Sequence, residues 1–100
     1  MIEHIVLFKW QPTAAPEAIA SVMTALGAMP RQITEIVALS CGENFSNRAQ
    51  GFTHGLVVRL ADRTALDAYQ AHPAHQVIVQ TQIKPIVAEV LALDYEFIPN

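Results

Sequence analysis

The chain has 100 residues, of which 52% are hydrophobic and only 15% charged, with six Lys and Arg against nine Asp and Glu and a formal net charge of −3. That length is one domain, residues 1–100, and so apolar a chain has ample surface to bury and is not disordered. The scattered basic residues and a pI near 5.7 exclude electrostatic capture of nucleic acid.

Ile2 to Trp10 reads as a strand, with Ile2, His4, Val6, Phe8 and Trp10 on one face and Glu3, Ile5, Leu7 and Lys9 on the other. Both faces are apolar at mid-strand, so the sheet is expected to be covered on both sides. A helix is expected from near Thr13, with Pro16 and Glu17 in its first turn. Ile19, Val22, Met23 and Leu26 form its buried stripe, and Gly27 and Pro30 end it. Ile33 to Cys41 reads as a second strand, Gly42 to Gly51 as a polar loop, and Phe52 to Leu60 as a third strand. Asp62 is a good N-cap for a short helix carrying Leu66 and Tyr69. Pro73 breaks that helix and starts the next, which runs to about Gln82. Ala88 to Phe97 is the last strand. The order β-α-β-β-α-β is the signature of an α+β ferredoxin-like domain with a four-stranded antiparallel-type sheet. In this reading the first and third strands lie side by side and parallel. His4 and His54 then meet at one end of the sheet on the same face.

The lone Cys41 forms no internal bridge, which points to a reducing cytoplasm. Glu3 and Lys9 interrupt the first apolar run, so no signal peptide is expected. The charge-free stretch from Ala18 to Pro30 is shorter than the roughly 18 apolar residues of a membrane helix, so no membrane partner is expected. A small domain with so little charge is expected to hide part of its surface against a second copy of itself.

Several segments resemble the stress-responsive dimeric A/B barrel (Dabb) family. They are His4-Ile5-Val6-Leu7-Phe8-Lys9, Gly51-Phe52-Thr53-His54-Gly55, Asp67-Ala68-Tyr69, His72-Pro73-Ala74-His75 and Asp94-Tyr95. The resemblance covers nearly the whole chain in order, and the His-Pro-Ala-His segment is its most specific piece. It implies a ferredoxin-like fold that dimerises through its sheet face into an α/β barrel. It also implies kinship with plant polyketide cyclases, which close a linear polyketide by aldol condensation without a cofactor. The residues matching Tyr69 and His75 are then the catalytic pair, and those matching His4 and His54 line the cavity.

An aldol or enolisation step needs a base near neutral pKa and a donor for the developing enolate oxygen. In the first turn of the helix opened by Pro73, His75 is expected to have a lowered pKa and to act as the neutral base. Tyr69 is the donor to a substrate carbonyl. His4, His54, Phe8, Leu56 and His72 are the expected substrate-binding residues, and the ligand is a small apolar carbonyl compound. No cofactor is expected. The spacing His72-x-x-His75 is tolerable for zinc, but no Cys pair, His-Glu-x-x-His or acidic cluster accompanies it, and no metal is expected.

Each residue also has a plainer reading. Tyr69 fits an ordinary core aromatic, His72 before proline caps a turn or faces water, and His75 is a surface first-turn residue. His4 or His54 alone is a satisfied core histidine. The sequence therefore supports two functions: a cofactor-free lyase, cyclase or isomerase using a Tyr–His pair, or a non-catalytic ligand-binding or stress-protective protein.

Overall fold

Alternation builds β1 (Ile2–Trp10), whose Ile2, His4, Val6 and Phe8 are buried while the residues between them are not. The computed structural model describes residues 1–100. α1 (Pro16–Ala28) starts three residues later than Thr13 because Pro16 holds Ala15 extended, at φ −70° and ψ 141°, and so serves as the first helical residue. Gly27 lies inside the helix. Met29–Arg31 then tightens into a 3₁₀ turn that drops Met29 and Ile33 into the core. β2 accordingly begins at Ile36 rather than Ile33 and runs to Glu43.

β3 spans His54–Leu60, α2 Arg63–Ala71 and α3 Pro73–Ile78. Asp62 caps α2 as expected, its carboxylate accepting from the Ala65 N–H at 2.8 Å. After α3 the helix widens into a π turn over Val79–Ile83, and β4 follows as Val87–Glu96. The chain is thus a ferredoxin-like α+β domain with sheet order β2-β3-β1-β4.

Every strand pair is antiparallel, which corrects the parallel pairing expected of β1 and β3. The α1 crossover returns the chain parallel to β1 in β2, and the following hairpin reverses it, so β3 enters between them running the other way. The consequence for the histidines is large. Phe8 faces His54 and His4 faces Val58. His4 and His54 share a face but sit four residues apart along the sheet, about 13 Å.

One face of the sheet carries the helices. Its Val6, Phe8, Leu56, Val58 and Leu60 pack against Val22, Leu26, Tyr69, Ile78 and Ile83 in one cluster of 13 buried apolar residues. The other face is open within the chain, and the molecule is only two layers thick, 38 × 30 × 17 Å.

Candidate functional site

Three elements bring His4, Tyr69 and His75 together. β1 presents His4 to the helix face, where it is the buried polar residue of the core, 5% exposed. α2 buries Tyr69 completely, three residues after Leu66 on the stripe that packs on the sheet. The break at Pro73 turns the chain so that His75, six residues on, lies against the same ring. The Tyr69 and His75 ring centroids are 4.7 Å apart, and those of His4 and Tyr69 5.7 Å apart in an edge-to-face arrangement.

The tautomer of His75 follows from its partner. Nδ1 sits 3.0 Å from the Gln70 carbonyl oxygen, which can only accept. Nδ1 therefore carries the proton and Nε2 is left with a lone pair. Burial pushes the His75 pKa down; the Gln70 carbonyl opposes that in part, and the nearby His4 adds to it. The direction matches the expectation from sequence, but desolvation supplies it rather than the dipole of a six-residue helix.

Tyr69 is the opposite case. Its hydroxyl is buried and has no hydrogen-bond partner, and desolvation raises its pKa well above the ordinary value. The phenol is a donor with nothing to donate to. A buried hydroxyl without a protein partner costs about 1–3 kcal/mol.

His4 is held by a residue not singled out as functional from sequence. Its Nδ1 hydrogen-bonds an Asp94 carboxylate oxygen. Asp94 belongs to β4 directly opposite His4 in the register, and its side chain is 41% exposed. Only the β1–β4 register could have revealed this pairing, because the two residues are 90 positions apart.

The remaining expected residues fall elsewhere. Phe8 and Leu56 are core residues on the same sheet face, each 3% exposed, and Phe8 stacks on Trp10 at 5.2 Å. His72 caps α3: its Nδ1 accepts from the Ala74 N–H at 3.0 Å. His54 does not join His4 at one end of the sheet, for the topological reason given above. Its Nδ1 accepts from Trp10 Nε1–H at 3.0 Å and lies 2.9 Å from Thr53 Oγ1. Since indole can only donate, the His54 proton is on Nε2.

His54 borders a cleft of about 570 Å³ between α1 and β2, together with Ile19, Met23, Cys41 and Glu43. A second cleft of about 380 Å³, between α2 and β4, is lined by Arg63, Leu66, Asp67 and Asp94. Neither is lined by Tyr69, which is fully buried, or by His75, which is half-buried. Burial raises the Cys41 thiol pKa, away from nucleophilic character. No group of three His, Cys, Asp or Glu side chains is placed to hold a metal, and no helix is long and apolar enough to cross a membrane.

Residues 2–97 match the model of the stress responsive A/B barrel domain, Dabb. A stress-response A/B barrel domain-containing protein of Arabidopsis thaliana is 32% identical over 96 residues, covering 95% of this chain and 36% of that protein, so the chain spans about a third of its relative's length. A dimeric ferredoxin-like protein of unknown function from Thermobifida fusca superposes with a TM-score of 0.85 at 30% identity, covering 96% of this chain and 90% of that one. A hydroxynitrile lyase from Passiflora edulis has the same TM-score of 0.85 at 18% identity, covering 98% and 96% of the two chains, and shares the fold alone. With a family model spanning nearly every residue, the chain belongs to the stress-responsive A/B barrel (Dabb) family.

Proposed function

We propose that the His4–Tyr69–His75 cluster carries out cofactor-free proton transfer on a small apolar, enolisable carbonyl compound of polyketide type, as a lyase, cyclase or isomerase does. One observation carries this reading: a fully buried phenol without an acceptor lies in ring contact with a neutral imidazole whose tautomer leaves Nε2 free. The chemistry follows from those two groups. His75 Nε2 takes a proton from the carbon next to the substrate carbonyl, and the C–H electron pair becomes the enolate. The Tyr69 hydroxyl donates to the enolate oxygen and gains the partner it lacks. Attack of the enolate carbon on a second carbonyl forms the new C–C bond, and the His75 imidazolium returns its proton to the alkoxide. Entry to Tyr69 requires movement at the α2–α3 break, where Pro73 interrupts the helix. On this reading His75→Ala abolishes turnover of a linear polyketide thioester while the protein stays folded; undiminished turnover refutes His75 as the base.

A second reading, non-catalytic ligand holding or stress protection, is favoured by the separate cleft beside His54. Its volume falls within the roughly 300–1,000 Å³ of small-molecule sites, and Ile19, Ala20 and Met23 give it an apolar wall. In either case we propose a homodimer through the open sheet face. Leu91, Leu93 and Tyr95 there are 53%, 57% and 45% exposed, and they flank Ile5 and Leu7 of β1.

A further inference from the structure

We infer that Asp94 is a positioning residue that fixes His4 in its Nδ1–H tautomer and so makes that ring a second imidazole acceptor beside Tyr69, with the carboxylate as its link to solvent. The inference rests on the proton-transfer reading of the cluster above.

Three observations meet here. An ionised carboxylate only accepts hydrogen bonds, so its contact with His4 Nδ1 places the ring proton on that nitrogen and the lone pair on Nε2. The register sets this contact: His4 and Asp94 are direct partners across β1 and β4, on the helix-covered face. The imidazole is buried, while the carboxylate is partly exposed and lines the cleft between α2 and β4. Two imidazoles thus flank one phenol. A backbone carbonyl fixes His75 through Nδ1, and a carboxylate fixes His4 through the same atom.

The proton balance closes without a further reactant. When His4 Nε2 accepts a proton, the ring becomes an imidazolium whose Nδ1–H remains bonded to Asp94. It then returns the Nε2 proton to the substrate, or gives the Nδ1 proton through Asp94 to water in the cleft and takes one back by the same route as Nε2 gives its proton up, so that the ring ends again as the Nδ1–H tautomer. Each imidazole can therefore accept a proton at Nε2 and give the same proton back. A hydrogen bond kept only to satisfy a buried ring needs no such opening to solvent.

Long-range ¹H–¹⁵N imidazole spectra at mildly alkaline pH test the assignment without any substrate. In the wild type, His4 and His75 should be Nδ1–H tautomers and His54 the Nε2–H tautomer, the last serving as an internal reference. In Asp94→Ala, His4 alone should shift toward the Nε2–H form. A wild-type His4 in the Nε2–H form, or a His4 signal unmoved by Asp94→Ala, overturns the inference. The functional arm is deuterium exchange at the α-carbon of a 1,3-diketone, which should slow at least ~10-fold in Asp94→Ala, less than the roughly 10²–10⁴-fold of a lost acid–base group because the variant misorients the imidazole without removing it. Exchange at the wild-type rate in the variant overturns the positioning role. Absence of exchange in the wild type removes the proton-transfer reading and leaves the tautomer result to stand or fall by itself. Should Asp94→Ala not fold, Asp94→Leu keeps the approximate size but offers no acceptor oxygen to His4 Nδ1, and the same tautomer shift and tenfold loss are expected.

Discussion

The Tyr69 hydroxyl is the residue on which activity and stability should part company. Removing a buried donor that has no partner relieves a desolvation cost, so Tyr69→Phe should leave stability unchanged or raise it by about 1 kcal/mol, measured by urea unfolding. The same substitution should remove catalysis; a clear loss of stability would show that the hydroxyl is satisfied in the native state. His75 gives the pH dependence. Its folded pKa lies below its ordinary value of 6.5, so the unfolded chain binds the proton more readily. Its contribution to stability is therefore complete above about pH 6.5 and is lost as pH falls through the lower folded value. Thermal unfolding from neutral to mildly acidic pH should show a steeper fall for the wild type than for His75→Gln; parallel curves would contradict it. Tyr69 and His75 stand out as a pair only through the resemblance to the Dabb family; taken singly they read as a core aromatic and a surface first-turn residue, and the break at Pro73 is what brings their rings together. Asp94 was not legible as a partner, since strand register alone sets it against His4.

At the scale of elements, local chemistry explains the boundaries. Asp62 and Pro73 marked their helix starts from sequence because a cap and a fixed φ act on their immediate neighbours. Asp62→Ala should cost about 1 kcal/mol in urea unfolding, with the loss confined to α2 in hydrogen exchange; no change would mean that packing of Tyr69 alone holds the helix. The start of β2 was less legible. Ile33 and Ile36 are both apolar, and only the 3₁₀ turn after α1 decides that the first belongs to the core below the sheet rather than to the strand. Strand direction is not legible for a different reason. Alternation reports the face a side chain occupies and is blind to which way the strand runs. Alternation therefore puts His4 and His54 on one face, as observed, but is silent on their distance along it, which the hairpin between β2 and β3 sets.

For the whole molecule, two layers leave one sheet face without a cover from its own chain. Ile5, Leu7, Val57, Leu91 and Leu93 form its middle by register, with the Glu3–Arg59 pair at 2.9 Å and the Lys9–Glu89 pair at 3.2 Å toward its ends. Apolar surface of this kind drives association, so Leu93→Asp should convert a dimer to a monomer in sedimentation at micromolar concentration, with α2 and α3 intact by circular dichroism. A wild type that sediments as a monomer would contradict the proposed interface. The proposed activity depends on the cluster moving a proton. Nuclear magnetic resonance in deuterium oxide reads this directly, as wash-in of deuterium at the α-carbon of a small apolar 1,3-diketone. The wild type should exchange it well above the buffer rate, and both Tyr69→Phe and His75→Ala should return to that rate. Exchange no faster than buffer with the wild type, or equally fast with His75→Ala, would contradict the account.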